Sequence, residues 1–176
     1  QLHPNDQSWD REIELLTTKK LIGLGDWKEK GPHSQQEQFE KEMAIGDIVL
    51  VKNGSEIIAL VEVTGNYSYS NSRDDLVWFQ RRRIVKVLDW YNAEYNLYVT
   101  PRGTLTRCNE YNDEAETNKS IHRWYDIVKE KSRIGILANL VVSCHNLVLT
   151  GAPGTGKTFT ALELANNITG ENDENS

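Results

Sequence analysis

Apolar and polar positions alternate through much of the first hundred residues, which is the pattern of half-buried β-strands. The clearest case is DIVLVKNGSEIIALVEVTG (47–65), where Asn53-Gly54 separates two runs rich in β-branched residues. Because Asn and Gly tolerate positive φ in tight turns, this segment predicts a β-hairpin. The same criteria predict three further strands, at residues 20–27, 76–90 and 97–101.

Helical patterns flank these strands. SQQE (34–37) is a capping box, in which Ser34 caps a helix and Glu37 reaches back to it. Phe39 and Met43 then share one helix face, and Gly46 is expected to end the helix.

A second helical region follows residue 120. Apolar residues recur there at helical spacing, namely Ile121, Trp124, Tyr125 and Val128. Another helical run at about 133–142 leads into an apolar segment, NLVLT (146–150), which predicts a strand.

These elements predict an α+β fold with two parts. Residues 1–107 are expected to form a small, mostly antiparallel β-barrel with flanking helices. The acidic stretch 108–120 is predicted to be a linker. Residues 121–176 are expected to form helices and a strand–loop–helix unit.

The loop of that last unit carries the most specific motif in the chain. Residues 151–158 match G-x-x-x-x-G-K-[ST] after a predicted strand and before a predicted helix. Backbone N–H groups of such a loop surround phosphate oxygens, a lysine neutralises the β/γ-phosphates, and a hydroxyl binds Mg²⁺. The residues are Gly151, Ala152, Pro153, Gly154, Thr155, Gly156, Lys157 and Thr158, with Thr158 as the predicted Mg²⁺ ligand.

Composition narrows the possible classes. Charged residues make up 26% and hydrophobic residues 38% of the 176 residues, which is typical of a globular domain. No apolar run approaches the roughly 20 residues that cross a bilayer, so we expect no membrane partner. The absence of an initiator methionine and of a signal-peptide pattern leads us to expect a fragment of a longer, cytoplasmic protein. Cys108 and Cys144 are expected to be free thiols.

Charge gives little indication of a nucleic-acid partner. The net charge is −6, and the one basic cluster is Arg81-Arg82-Arg83. Aromatic residues are a stronger signal, because Trp27 and Trp78 lie at strand ends beside polar loops, where rings can form a cage for a planar base. Trp124 is expected to be a packing residue, and Trp90, at the end of a strand, is expected to lie in the core.

Three segments resemble a known family. LIGLGDW, then F…M.IGDIVLVKNG…IIALVEVTGNYSY, then W..RRRIVKVLDW, are similar to an EVE-type domain over about residues 18–105. EVE domains are PUA-like folds related to the YTH readers, and this variety stands at the N-terminus of McrB-like AAA+ NTPases of modification-dependent restriction systems. GTLTR (103–107) and LTGAPGTGKT (149–158) fit the connection to that module and its start.

The resemblance implies a function and a site. Relatives flip a modified base into an aromatic cage, and the AAA+ ring drives a separate nuclease subunit. The implied cage consists of Trp27, Trp78 and either Tyr67 or Tyr69. Either Asp26 or Asn66 would hydrogen-bond the base edge. Arg81, Arg82 and Arg83 would contact DNA phosphates, although alternation along a strand allows only two of them to share a face.

The resemblance also implies ATP or GTP with Mg²⁺ as cofactor, modified double-stranded DNA as ligand, and an AAA+ homo-oligomer with a nuclease partner. This chain is not expected to hydrolyse nucleotide alone, since the acidic Mg²⁺ partner and the arginine finger lie outside it. The sequence does not distinguish ATP from GTP, or 5-methylcytosine from a hydroxymethyl or glucosylated derivative or N6-methyladenine. Two other functions stay open: a protein-interaction domain of a remodelling ATPase and an RNA-binding PUA-like domain.

Overall fold

The computed structural model describes residues 9–27, 34–100, 104–108 and 115–170. The chain divides into two compact units, Gln1–Trp124 and Tyr125–Ser176.

The first unit begins with α1 (Trp9–Glu14), which continues as a π-helical turn, Leu15–Lys19. Leu15 and Leu16 are buried because this turn faces the core. The helix ends at Lys19, and the left-handed conformation of Lys20 lets the Lys20 N–H donate to the Leu15 carbonyl at 3.0 Å.

The second helix, α2 (Gln35–Glu37), also continues as a π-helical turn, Gln38–Glu42. The predicted Ser34 cap is confirmed, since its hydroxyl accepts from the Glu37 N–H at 3.2 Å. The carboxylate of Glu37 pairs with Lys41. The helix ends at Glu42, before the predicted stop at Gly46, because Met43 already has extended backbone.

Five antiparallel strands form the sheet of this unit, and they confirm the predicted α+β class. They are β1 (Leu21–Leu24), β2 (Ile48–Asn53), β3 (Glu56–Val63), β4 (Ser68–Tyr69) and β5 (Arg81–Trp90). The long β5 is central. One edge of it pairs with β1, and the opposite edge pairs with β3 and then β4. The other edge of β3 pairs with β2.

The predicted β2–β3 hairpin is confirmed with a turn shifted by one residue. Asn53 pairs with Glu56, so Gly54 and Ser55 form the turn, and only Gly54 needs positive φ, at 58°. The register shifts by one residue opposite Val51–Lys52 and again between β3 and β5, which leaves Ile58 and Leu88 as bulges. Bulges bend the strands that carry them, and the sheet curls into an open half-barrel.

The interior of the half-barrel is filled from the sheet and both short helices. Its fully buried large side chains include Leu15, Leu16, Phe39, Val61, Val63, Phe79 and Val85. Gly23 lets Phe79 lie directly on β1, because a Cβ there would come within 2.0 Å of the Phe79 ring.

The predicted strand 76–90 is half correct. The strand β5 begins only at Arg81, since the carboxylate of Asp74 accepts the N–H groups of Leu76 and Val77 and turns the chain there. Residues 97–100 are not a strand. Their N–H groups at Tyr98 and Thr100 donate instead to Ser120 and Thr117 hydroxyls.

The helices after residue 115 also differ from the prediction. A single helix, α3 (Glu116–Cys144), replaces the two predicted helices and begins inside the predicted linker 108–120. No proline interrupts it, and Gly135 is accommodated in the helix. The boundary between the two units falls within α3, after Trp124.

The second unit contains the rest of α3 and α4 (Lys157–Thr169). Its buried residues are Ile134, Ala138 and Leu164. Residues 146–150 are not in a strand, because no described segment pairs with them. None of the helices in the described ranges has the length and apolarity needed to cross a lipid bilayer.

Candidate functional site

Two tryptophan rings meet where β1 ends. An added Cβ at Gly25 would lie 2.8 Å from Cζ3 of Trp78 and 3.4 Å from Cε3 of Trp27, so both indoles pack against this glycine. Both rings are half-buried against the core. The carbonyl of Trp27 accepts from Gln36 Nε2 at 2.6 Å, and this hydrogen bond joins the segment after β1 to α2.

Tyrosine rings approach the same place from β4. Tyr69 is 47% exposed and lies opposite Arg81 across the β4–β5 pair, with the guanidinium carbon 5.6 Å from the ring centroid. Tyr67 is half-buried and contacts Phe39 edge-to-face at 6.5 Å.

Asp26 joins these elements through its carboxylate. Its Oδ1 accepts from Arg81 Nη1 at 2.7 Å, and its Oδ2 accepts from the Tyr69 hydroxyl at 3.1 Å. The hydrogen bond from Arg81, followed by that from Tyr69, lowers the pKa of Asp26 below its ordinary value. Asp26 is therefore an ionised acceptor at neutral pH.

The other titratable groups respond to the same contacts. The hydrogen bond to Asp26 raises the pKa of Tyr69, and burial raises the pKa of Tyr67. Burial, the largest single cause, would lower the pKa of Arg81, but the hydrogen bond to Asp26 and the charges of Asp26, Tyr67 and Tyr69 together outweigh burial, and the pKa is raised. Both tyrosines are thus neutral hydroxyls and Arg81 is a fixed cation.

The three arginines that were predicted to contact phosphates all donate hydrogen bonds to other groups of the protein. Arg81 binds Asp26, and Arg82 donates to the carbonyls of Phe79 and Ser72. Arg83 is only 4% exposed, and its guanidinium donates to the Phe39 carbonyl at 3.0 Å and the Glu40 carbonyl at 2.9 Å.

Arg83 therefore caps the last turn of the helix that begins at α2. Its guanidinium carbon also lies 5.9 Å from the centroid of the Phe39 ring and 6.0 Å from that of Tyr67. This geometry gives Arg83 a packing role and keeps it away from the surface.

The structure thus brings together most of the predicted cage residues. Asp26, Trp27, Tyr69, Trp78 and Arg81 are linked by the contacts above, and we call them the ring site. Tyr67 lies next to it, since the charges of Asp26 and Arg81 both act on its hydroxyl. Asn66 is exposed in the segment between β3 and β4.

Sequence reasoning missed two polar residues near this site. The side chain of Gln80 is buried, and its Oε1 has no hydrogen-bond partner within the described structure. Arg73 is exposed and acts electrostatically on Tyr69. The Asp at position 74, a residue type that favours turns, is the signal that would have indicated an ordered loop around Arg73.

The remaining two tryptophans of the sheet and α3 behave differently. Trp124 is fully buried, as predicted, between Tyr91 and Tyr95, with ring centroids 5.9 and 5.7 Å away. Its Nε1 donates to Asp89 Oδ2 at 2.9 Å, which also accepts from the Tyr95 hydroxyl at 2.7 Å. The prediction that Trp90 is a core residue is wrong: it is the last residue of β5 and is 37% exposed.

The glycine-rich loop closes around its own lysine. Lys157 Nζ donates to the carbonyls of Gly151 at 2.9 Å and Ala152 at 2.6 Å, and lies 3.3 Å from the Thr155 hydroxyl. Three glycines have positive φ, 147° at Gly151, 80° at Gly154 and 77° at Gly156. Side chains larger than hydrogen are strained in this region, so the loop conformation requires these glycines.

The helix α4 begins directly after the loop, with Gly156 as its N-cap and no side-chain cap. Thr158 is its second residue, and the side chain is exposed. A lysine held in the loop, an exposed hydroxyl and an uncapped helix N-terminus are the groups that a nucleotide phosphate with Mg²⁺ needs, so the residues present fit that ligand.

The fold and these two sites define an α+β protein with a curled antiparallel sheet and a glycine-rich loop. Residues 6–107, more than half of the chain, match the family described as a domain of unknown function (DUF8426), and the chain belongs to this family. Neither the curated proteins nor the solved structures contain a significant match to this chain.

Proposed function

We propose that the first unit binds nucleic acid by enclosing an extruded, modified base at the ring site. In this proposal the second unit is the nucleotide-binding start of an AAA+ module, and the whole protein is an McrB-like NTPase of a modification-dependent restriction system. The PUA-like class of the sheet belongs to the same proposal. The proposal as a whole rests on the sequence resemblance together with the contacts of the ring site.

The packing of Trp27 and Trp78 on Gly25, beside the Asp26–Arg81–Tyr69 network, is the observation that carries the proposal. Stacking of a base on aromatic rings stabilises a complex by about 1–3 kcal/mol per base. The partly exposed Tyr69 ring and the half-buried indoles supply such surfaces. An ionised Asp26 accepts hydrogen bonds from the N–H groups of a base edge, which gives the site a polar readout.

The charge distribution supports base capture over backbone binding. Arg81, Arg82 and Arg83 donate to protein acceptors, and the chain has a net charge of −6. Phosphate contacts make affinity strongly salt-dependent. We therefore expect duplex affinity to come mainly from the modified base and to depend weakly on salt.

The glycine-rich loop would hold ATP or GTP through its backbone N–H groups. Lys157 would bind the β- and γ-phosphates after releasing the Gly151 and Ala152 carbonyls, and Thr158 would be a ligand of Mg²⁺. When bound, Mg²⁺ neutralises charge on the phosphates. The remaining groups for hydrolysis would come from the rest of the module, with an AAA+ homo-oligomer and a nuclease subunit as partners.

Exposed apolar side chains in the second unit support its place in a larger module. Five large apolar residues there are more than half exposed: Ile136, Val142, Val148, Phe159 and Leu162. Helices cover both faces of the sheet in α/β modules, so the residues at the contact between sheet and helices are apolar. These residues would be covered by the remaining strands and helices.

Fluorescence anisotropy with short duplexes tests the first part of the proposal. Duplexes carrying 5-methylcytosine, 5-hydroxymethylcytosine or N6-methyladenine are compared with the unmodified sequence. We expect one modified duplex to bind more than about tenfold tighter, and Trp27→Ala and Trp78→Ala to abolish that preference. Trp90→Ala is the matched control, since this exposed indole lies outside the ring site.

Equal binding of modified and unmodified duplexes would exclude a modification-reading site. Preference for single-stranded RNA would favour the RNA-binding alternative. Absence of nucleic-acid binding would favour a protein-interaction domain.

A further inference from the structure

The loop between β4 and β5 is held at several points along its length. Its first residue, Ser70, donates its N–H to the Gln80 carbonyl at 3.0 Å. The carbonyl of Ser72 accepts from the Arg82 guanidinium. The Asp74 carboxylate accepts the N–H groups of Leu76 at 2.9 Å and Val77 at 2.7 Å.

Asp74 is also tied to a distant part of the chain. Its Oδ2 binds Lys19 Nζ at 2.9 Å, at the end of the π-helical turn that follows α1. The residues on both sides of position 73, Ser72 and Asp74, are therefore fixed by contacts with other elements.

Arg73 stands between these two fixed residues with its own side chain exposed. It has no hydrogen bond or ion pair with any residue in the described ranges. It lies near the ring site, since β4 ends at Tyr69, four residues earlier, and the positive charge of Arg73 acts on the Tyr69 hydroxyl.

This arrangement contrasts with the three arginines of β5, whose guanidinium groups are all bound to protein oxygens. We propose that Arg73 supplies the phosphate contact next to the captured base, a role that the sequence had suggested for Arg81, Arg82 and Arg83. The inference rests on the proposed function, because it names the backbone contact of the same ring site.

An arginine suits this role for two reasons. Its planar guanidinium donates two parallel hydrogen bonds to phosphate oxygens. The bracing of Ser72 and Asp74 orders the backbone in advance, so binding loses less conformational entropy than it would on an unrestrained loop.

The salt dependence of duplex binding provides the test. Each phosphate contact contributes about 0.9 to the slope of log K against log salt concentration, so one contact changes affinity by about threefold between 50 and 200 mM salt. Wild type, Arg73→Ala, Arg73→Lys and the control Arg123→Ala are compared by anisotropy on modified and unmodified duplexes. Arg123 is an exposed arginine on α3, and unfolding curves verify that each variant is folded.

We expect Arg73→Ala to bind both duplexes about three- to tenfold more weakly at low salt and to reduce the slope by about one. Arg73→Lys should keep most of the slope, Arg123→Ala should match wild type, and the ratio between modified and unmodified duplex should stay the same. An unchanged slope for Arg73→Ala overturns the inference. If the affinity ratio of modified to unmodified duplex changes while the salt slope does not, Arg73 contacts the base and not a phosphate, which also overturns the inference.

The proposed function fails separately. A wild-type protein with no preference for any modified duplex contradicts base reading, whatever the slope of the Arg73 variants. A wild-type protein with a clear preference, together with an inert Arg73, contradicts only the phosphate contact.

Discussion

Tyr69 and Arg81 face each other across β4 and β5, and both bind the carboxylate of Asp26. Asp26 follows the end of β1, so three strands contribute to one polar network. The network lies beside the indoles of Trp27 and Trp78 at Gly25. A change in any one of its three members is therefore expected to alter the other two.

Replacing Arg81 should change the titration of Asp26. The hydrogen bond from Arg81 is the main cause of the lowered pKa, so Arg81→Met should raise the pKa of Asp26. The pKa of Asp26 is lower in the folded than in the unfolded state, so ionised Asp26 stabilises the folded protein above about pH 3.8. This stabilisation is lost as the pH falls through the pKa of Asp26 in the folded protein. A carbon-detected NMR titration of the Asp26 carboxyl measures the shift.

Arg107→Met is the control for this experiment, because Arg107 pairs with Glu42 and has no contact with Asp26. An Asp26 titration that is the same in Arg81→Met and in wild type would contradict the proposed network.

Asp74 should make the loop around Arg73 sensitive to acid. Its pKa is lowered to about 2, first by Lys19 and then by the N–H of Val77. The stabilisation is complete above about pH 3.8 and is lost as pH falls towards about 2. Asp74→Asn should remove this part of the pH dependence, which urea midpoints at several acidic pH values measure. Asp75→Asn, at the exposed neighbouring position, is the control and should retain the wild-type profile.

Arg83 should be essential for stability. Arg83→Met removes the donors to the Phe39 and Glu40 carbonyls inside the protein, and unsatisfied buried acceptors cost about 1–3 kcal/mol each. We expect the free energy of unfolding to fall by about 2–4 kcal/mol, measured by urea denaturation with tryptophan fluorescence. Lys86→Met, at an exposed position of the same strand, should change it by less than about 0.5 kcal/mol. A small effect of Arg83→Met would show that these carbonyls find other donors.

Local patterns predicted only part of the elements of the first unit. The β2–β3 hairpin and the Ser34 cap were predicted because a turn or a cap depends on residues fewer than five positions apart. The strand at 146–150 was not formed because a strand needs a neighbour, and no described segment pairs with it.

The partners of the polar groups were beyond local reasoning. Arg83 binds a carbonyl 44 positions away, and Trp124 binds an aspartate 35 positions away. The motif RRR gave no indication that each guanidinium has a different internal acceptor. By contrast, most of the aromatic residues that the resemblance grouped together do lie close in space, since β1, β4 and β5 are neighbouring strands.

Trp124 should fix the start of α3 to β5 within the first unit. Trp124→Phe keeps an aromatic ring between Tyr91 and Tyr95 but removes the indole N–H that binds Asp89. We expect a loss of about 1–3 kcal/mol in the free energy of unfolding, measured by chemical denaturation. Trp90→Phe is the control, and it should have a smaller effect because Trp90 is partly exposed. Equal effects of the two changes would contradict the role of the Asp89 hydrogen bond.

Two glycine substitutions should have opposite effects. At Gly25, an added Cβ would lie 2.8 Å from the Trp78 ring and 3.4 Å from the Trp27 ring, so Gly25→Ala must displace an indole. Inserting a methyl group into packed surroundings costs about 1–3 kcal/mol. At Gly135, inside α3, a Cβ would meet nothing within 4 Å, and Gly135→Ala should stabilise the protein by about 0.5–1 kcal/mol.

Binding separates the two variants further. If the indoles at Gly25 contact the ligand, Gly25→Ala should weaken binding of the preferred modified duplex by about tenfold, while Gly135→Ala should bind like wild type. Anisotropy titrations below the unfolding temperature of both variants provide the measurement. Wild-type affinity in a folded Gly25→Ala protein would mean that the position of Trp78 does not matter for the ligand, and it would contradict binding at the ring site.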